Sequence, residues 1–127
     1  MQAMRLEDNG RKPLFLQIRD RLEDAVLTGV YPEESQVPST TELSVAYRIN
    51  PATALKGVNQ LVQEEILFKK RGLGVFVAQG AVEKVRSHRQ KSFRETFFNP
   101  MIREAQRLEI TKEQLMQWME ETEDERH

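Results

Sequence analysis

The sequence contains no cysteine and has only two histidines, His88 and His127, among its 127 residues. The lack of thiols excludes disulfide bonds, zinc sites with cysteine ligands and a cysteine nucleophile. Two histidines also make a histidine-rich metal site unfavourable, and we expect neither a metal nor a cofactor. The serine, histidine and acidic residues form no recognisable catalytic motif, so the chain is not predicted to be an enzyme.

Long apolar stretches are also missing. No run approaches the roughly 20 residues that a membrane-spanning helix needs. The N-terminal residues 1–12 lack the apolar segment of a signal peptide. We therefore expect a cytoplasmic protein that does not bind a membrane, with a modest core and a heavily charged surface.

The net charge of −1 hides an uneven distribution along the chain. Residues 38–91 contain nine basic and four acidic residues, a net charge of +5, whereas residues 1–37 carry −2 and residues 92–127 carry −4. Binding to phosphate requires a positive region of this kind. Considered alone, this charge distribution is explained more simply by a solvated surface. The motifs within residues 38–91 are therefore needed to distinguish a phosphate-binding surface from an ordinary one.

Three helices are predicted in the first half of the chain. The first follows from apolar residues at four-residue steps: Leu14, Ile18, Leu22 and Val26. Gly29 is a plausible stop for it. Ser39 and Glu42 have the spacing of a capping box at the start of the second helix. Asn50 can cap a third helix that has Pro51 at its first position.

A β-hairpin is predicted over residues 66–78. Two short apolar runs flank the segment Arg-Gly-Leu-Gly at 71–74, where the glycines suit a bend. The predicted order of elements over residues 13–78 is therefore three helices followed by a hairpin. The predicted fold class is mainly α with a small β-hairpin (α+β): an N-terminal winged helix-turn-helix over residues 1–80, followed by a short helical dimerisation tail over residues 81–127.

The start of the third helix is the first candidate site. In a helix-turn-helix this end enters the major groove, so it has to be small and polar, and it offers backbone amides and a positive dipole end to phosphate. Asn50, Ala52 and Thr53 fit this role, with Lys56 one turn further along. A good helix start explains the Asn-Pro pair equally simply when it is considered alone.

The hairpin is the second candidate site. Lys69, Lys70 and Arg71 lead into a tip that contains Gly72 and Gly74. Glycines let a backbone approach another molecule closely, as insertion into a minor groove requires. An ordinary turn with solvated lysines is the simpler explanation in isolation, but a basic hairpin after three helices is much more specific than either part.

An apolar stripe dominates the tail. Asn99 and Pro100 are expected to kink or break its helix, and Thr111 with Gln114 forms a second capping box before a last helix. The stripe is too apolar for one exposed helix and must be covered. We favour dimerisation over packing against the chain's own winged domain. The predicted dimerisation residues are Phe93, Phe97, Met101, Leu108, Leu115, Trp118 and Met119.

Residues 13–77 resemble the DNA-binding domain of the GntR family of bacterial transcription regulators. The resemblance rests on PLFLQI, Gly29 followed by Pro32, VPSTTEL, INPAT, LVQEEIL and RGLGVFV, in this order. The family stretch P-S-x-R-E-L-A has Thr41 and Ser44 here in place of its arginine and last alanine. INPAT and the string FFNPMIREAQRLEITKEQL are similar to the YtrA-type subfamily, whose short helical tail dimerises.

The resemblance implies a sequence-specific transcription regulator, a repressor that binds double-stranded DNA as a homodimer on a palindromic operator. It adds Ser39, Thr40 and Thr41 to the DNA-binding residues, because the family arginine contacts phosphate at the position of Thr41. Thr41 and the negative net charge favour an alternative, a winged-helix module that binds protein instead of DNA. A small-molecule effector, where one exists, would bind between tail and winged domain or at the dimer interface.

Overall fold

The computed structural model describes residues 6–7 and 12–125. The chain divides into two compact units: an N-terminal unit, Met1–Ser87, and a C-terminal unit, His88–His127. The sequence-based boundary between residues 80 and 81 lies slightly earlier. Residues 1–5 and 8–11 of the predicted first domain, and residues 126–127 of the predicted tail, lie outside the described residues.

The N-terminal unit has the predicted order of helix, helix, helix and hairpin. The elements are α1 (Leu14–Leu27), α2 (Thr40–Tyr47), α3 (Pro51–Gln63), β1 (Leu67–Lys70), β2 (Gly74–Val77) and the first turns of α4 (Ala81–Phe93). The two strands are antiparallel, with Leu67 opposite Val77 and Lys70 opposite Gly74. The predicted fold class, mainly α with a small β-hairpin in a winged helix-turn-helix, is confirmed.

One apolar core joins these elements. It contains Ile18, Leu22 and Val26 of the predicted α1 stripe but not Leu14. It also contains Ala54, Val58 and Leu61 of α3 and Leu67 and Val77 of the hairpin. Gly57 lies where α1 and α3 cross, and a Cβ built there would be 2.7 Å from the carbonyl oxygen of Phe15. Ala81 and Val85 of α4 are fully buried in the same core. The division between the units therefore falls within α4 and not before it.

A buried charge cluster ties α1 to the end of α3. The Arg19 guanidinium donates to the Glu64 carboxylate through Nε at 3.0 Å and contacts the Glu23 carboxylate at 2.8 Å. It also pairs with Asp20 at 3.0 Å. The hydrogen bond that Arg19 donates to Glu64 raises the pKa of Arg19 above its ordinary value despite burial. This arginine holds the C-terminal end of α3 against α1.

Residues 33–37 form a strap along the hairpin, where the sequence indicated only a loop. The Glu34 amide donates to the Val77 carbonyl at 2.8 Å, and the Val37 amide donates to the Val75 carbonyl at 2.9 Å. The Glu33 carboxylate accepts hydrogen bonds from the amides of Gly80 at 2.7 Å and Val82 at 3.2 Å. The strap therefore pairs with β2 and also caps the start of α4.

The C-terminal unit contains the end of α4, a π-helical segment (Arg94–Phe98), α5 (Asn99–Arg107) and α6 (Lys112–Glu125). At Asn99 and Pro100, where a kink or break is expected, the π-helical segment gives way to α5 and the chain stays helical. The Asn99 amide donates to the Arg94 carbonyl five residues earlier, so a π turn accommodates the proline that has no N–H. The predicted capping box at Thr111 and Gln114 is confirmed by hydrogen bonds of 2.8 and 3.1 Å.

Helix α3 ends in a Schellman motif with a glutamate at its left-handed position. Glu65 has φ +62°, and the amides of Glu65 and Ile66 donate to the carbonyls of Val62 and Leu61 at 3.0 Å. Glycine is favoured at this position because a Cβ is strained there. We expect Glu65→Gly to raise the free energy of unfolding by about 1 kcal/mol, measured by urea denaturation. Glu65→Ala keeps the strain, and an equal gain in that variant would contradict the explanation.

Candidate nucleic-acid interface

The start of α2 is organised by the predicted capping box. Ser39 Oγ accepts a hydrogen bond from the Glu42 amide, and the Glu42 carboxylate accepts one from the Ser39 amide, both at 3.0 Å. The Ser39 backbone, followed by its side chain, lowers the pKa of Glu42 below its usual value. Thr40 is half-buried and Thr41 is exposed in the first turn. Ser39 therefore caps α2, and both Ser39 and Thr41 are exposed to solvent.

The start of α3 differs from the expected amide site for phosphate. Asn50 Oδ1 accepts a hydrogen bond from the Ala52 amide at 2.8 Å, and the Thr53 amide donates to the Asn50 carbonyl at 2.9 Å. Pro51 has no N–H. Pro51 therefore offers no donor, and the amides of Ala52 and Thr53 are already hydrogen-bonded, so these first donors are not free as expected. The side chains at this end remain the candidates for contacts with DNA.

One exposed face of α3 extends beyond the predicted residues. Ala52 and Lys56 are exposed, and the face continues through Leu55 and Asn59, neither of which was predicted from the sequence. Their spacing of three and four residues along the helix is the signal that could have found them. An asparagine side chain can bond adenine in the major groove, and an apolar side chain can contact the thymine methyl group. Thr53 is half-buried at the edge of this face.

Two basic side chains are positioned by local contacts around this face. The Lys56 ammonium lies 4.1 Å from the centre of the Phe15 ring, which directs it toward the first turn of α1. Arg48 lies in the turn between α2 and α3, is exposed, and adopts the left-handed conformation with φ +55°. Arg48 was not predicted because nothing in the local sequence pattern marks that backbone conformation. Both residues add positive charge beside the start of α3.

The hairpin separates its basic residues. Lys70 follows Phe68 and faces the same side, and its ammonium lies 4.6 Å from the centre of the Phe76 ring. Lys69 alternates with Lys70 along β1, so the two side chains leave opposite faces of the ribbon. Arg71 is exposed at the turn. The predicted basic hairpin is present, but Lys70 lies over aromatic rings, Lys69 leaves the other face of the ribbon, and Arg71 lies at the turn.

The tip has the open backbone that the glycines predicted. Gly72 has φ +77° with open space where a Cβ would be. Gly74 has φ +126°, and a Cβ there would lie 2.5 Å from Gln36 Nε2. Gln36, which belongs to the strap, donates from Nε2 to the Leu73 carbonyl at 2.9 Å. The strap therefore fixes the tip from outside, an interaction that was not predicted from the sequence.

Most of the predicted dimerisation residues are exposed in the C-terminal unit. Phe93 and Phe97 lie side by side with ring centres 5.6 Å apart. Two open apolar grooves, of about 420 and 380 Å³, flank Leu115, which is half-buried. The exposed fractions are 59% for Phe93, 62% for Phe97, 46% for Met101, 61% for Leu108, 50% for Trp118 and 65% for Met119.

Acidic and histidine side chains do not gather into a metal site in the described chain. Within residues 6–7 and 12–125, no group of three or more His, Cys, Asp or Glu side chains is arranged to hold a metal ion. In the same part of the chain, no helix is both long and apolar enough to cross a membrane. His88 is exposed on α4.

Three helices followed by a two-stranded hairpin place the N-terminal unit in the winged helix-turn-helix class. Residues 14–77 match the model of the family described as "Bacterial regulatory proteins, gntR family". The chain belongs to the GntR family. This is a family of regulators, not of enzymes.

Individual relatives agree with this family over different lengths. One relative is the "Probable fructoselysine utilization operon transcriptional repressor" of Escherichia coli (strain K12). It is 34% identical over 70 residues, which cover 55% of this chain and 29% of that protein. The chain thus spans about a third or less of such longer relatives. The repressor YtrA of Bacillus subtilis (strain 168) is 23% identical over 118 residues, which cover 93% of this chain and 90% of YtrA.

Solved structures give the same result. A GntR-family regulator from Bacteroides thetaiotaomicron superposes with a TM-score of 0.79 at 31% identity, covering 90% of this chain and 99% of that one. The DNA-binding domain of AraR, crystallised with its operator ORX1, superposes with a TM-score of 0.57 at 21% identity over 61% of this chain and 99% of that one. At that identity, the AraR structure supports the fold alone.

Proposed function

We propose that this chain is a cytoplasmic, homodimeric repressor that binds a palindromic operator in double-stranded DNA. The exposed face at the start of α3, next to a basic hairpin in the same compact unit, carries the proposal. YtrA and the fructoselysine regulator are both named repressors, which supports the direction of regulation. Two copies would read two half-sites about one helical turn apart.

The proposed contacts fall into two groups. Ala52, Thr53 and Asn59 would meet base edges, because Ala52 and Asn59 lie on the exposed face of α3 and Thr53 lies at its edge. The remaining basic and polar side chains would meet phosphates, which position the protein without reading sequence. This second group comprises Ser39, Thr40, Thr41, Arg48, Asn50, Lys56, Lys69, Lys70 and Arg71, with Gly72 and Gly74 allowing the hairpin tip to approach the minor groove.

The role of α3 is tested by removing one hydroxyl. Thr53→Ala is expected to weaken binding to the operator by about 1–3 kcal/mol if the hydroxyl touches a base edge. The measurement is a mobility shift with a duplex that the wild-type protein selects from random DNA. Thr28→Ala is the matched control, because the Thr28 hydroxyl bonds the Asp24 carbonyl and belongs to no proposed contact.

The outcome also separates the two candidate functions. Unchanged operator affinity in both Thr53→Ala and Lys56→Ala would mean that α3 is not the recognition helix. Failure of the wild-type protein to select any duplex would favour the alternative, a winged-helix module that binds protein. Thr41, in place of the family arginine, is the residue that motivates keeping this alternative.

The hairpin is tested by its salt dependence. Replacing Lys69, Lys70 and Arg71 with alanine is expected to weaken binding to operator and random duplexes alike. The slope of log affinity against log salt concentration should fall by about 0.9 for each phosphate that the protein no longer neutralises. Lys70→Ala alone should change the slope least, because its ammonium is held over Phe76. Lys112→Ala, in the C-terminal unit, serves as control, and an unchanged slope in the triple variant would remove the hairpin from the interface.

A further inference from the structure

Leu55 is a large apolar side chain on the exposed face of α3. It is 42% exposed, and it lies between Ala52, three residues earlier, and Asn59, four residues later, on the same side of the helix. A single exposed leucine is ordinary on a protein surface. Its position on the face proposed to meet DNA is what requires an explanation, because the proposed contacts give Leu55 no role.

The exposed face of α3 has little charge. The 13 residues of this helix, all of them described, include one charged side chain, Lys56, and no arginine, aspartate or glutamate. The Lys56 ammonium lies 4.1 Å from the centre of the Phe15 ring, which draws it toward the start of α1. Arginine and lysine are the usual partners of guanine, and aspartate and glutamate accept a hydrogen bond from cytosine. Apart from Lys56, α3 therefore has none of the charged groups that recognise a G·C pair.

The chemistry of this face instead suits an A·T pair. The thymine C5-methyl group projects into the major groove, where apolar side chains contact it. Leu55 placed against guanine would remove water from the O6 and N7 acceptors and supply no donor, which is unfavourable. Asn59 lies about 6 Å further along the helix axis, and its amide is the kind that pairs with adenine. Neighbouring base pairs are about 3.4 Å apart, so Leu55 and Asn59 can both reach bases of one half-site.

Building on the proposed function, we propose that Leu55 is a specificity-determining residue that packs on the methyl group of a thymine in each half-site of the operator. This contact buries apolar surface on both molecules and selects thymine over cytosine, which lacks the methyl group. Asn59 extends the same A·T preference along the groove. Lys56 adds affinity through phosphate and does not distinguish the base pairs.

Removing single methyl groups from the DNA tests this contact. The probe is the duplex that the wild-type protein selects from random DNA. Each thymine is replaced in turn, in both half-sites, by deoxyuridine, which differs only in lacking the methyl group. A buried methyl group is worth about fourfold in affinity, so at one position the change in both half-sites should weaken binding by about 15-fold. At that position 5-methylcytosine should bind more tightly than cytosine, because it restores the methyl group.

Three protein variants assign the methyl contact to a side chain. Leu55→Ala should bind the thymine and deoxyuridine duplexes equally, and its circular dichroism and salt slope should match those of the wild-type protein. Lys56→Ala, at the neighbouring position, should bind every duplex more weakly and keep the full discrimination. Val30→Ala shortens an exposed apolar side chain outside the proposed contacts, and it should keep both affinity and discrimination.

The possible outcomes separate this inference from the proposed function. Equal binding of the thymine and deoxyuridine duplexes by the wild-type protein at every position overturns the inference and leaves DNA binding intact. Discrimination that persists in Leu55→Ala overturns it as well, as does discrimination that is lost in Lys56→Ala, because the effect would then not belong to Leu55. Failure of the wild-type protein to select any duplex would instead refute the proposed function itself.

Discussion

Phe97→Glu is expected to give a folded monomer with greatly reduced operator affinity. Phe97 is 62% exposed in the single chain and packs on Phe93, so a carboxylate there costs little in the monomer. In the proposed dimer the same carboxylate would be buried against apolar side chains without a partner. Loss of the second half-site should lower affinity by about 100-fold, since joining two weak sites raises apparent affinity by that order or more.

Light scattering at micromolar concentration gives the oligomeric state, and a mobility shift gives the operator affinity. Thr96→Glu is the matched control, because it adds the same charge at the neighbouring exposed position of the π-helix. The dimer model fails if the wild-type protein is a monomer that still binds its operator tightly. A Phe97→Glu variant that remains dimeric would remove the phenylalanine stripe from the interface.

Val58→Asp is expected to unfold the N-terminal unit. Val58 is 1% exposed in α3 and belongs to the core that joins α3 to α1 and the hairpin. An aspartate there would lose apolar burial and place an unpaired carboxylate in the core, which together cost about 4 kcal/mol or more. Small domains have total stabilities of about 5–15 kcal/mol, so most of the stability would be lost.

Urea denaturation followed by circular dichroism measures this loss. Asn59→Asp places a carboxylate at the next residue on the exposed face of the same helix, and its midpoint should stay close to that of the wild-type protein. A cooperative transition for Val58→Asp at the wild-type midpoint would mean that α3 does not pack as described.

Local signals made much of the fold predictable. The capping residues Ser39, Asn50 and Thr111 lie where each helix begins, because each cap depends only on residues two or three positions away. The hairpin followed from its glycines and alternating apolar residues. Elements determined by neighbours in sequence were therefore predicted well.

Interactions between distant residues could not be predicted in this way. Glu33 lies 47 residues from Gly80, and no local pattern indicates that its carboxylate caps α4. The sequence also did not predict that Ala81 and Val85 are buried in the core of the N-terminal unit, because the other residues of α4 form a mostly polar helix. At the candidate site, Asn59 could be found by helical spacing. The use of the Ala52 amide by Asn50 could also be found, because the cap itself was predicted from the sequence.

The capped start of α4 also bears on how such regulators could exchange domains by recombination. A chimaera joined at residue 80 would replace Ala81 and Val85, which are fully buried in the core of the N-terminal unit. A junction after Ser87 would keep both the buried residues and the cap. We therefore expect a graft at the later junction to preserve the fold of the DNA-binding unit, whereas a graft at the earlier one should produce a destabilised protein.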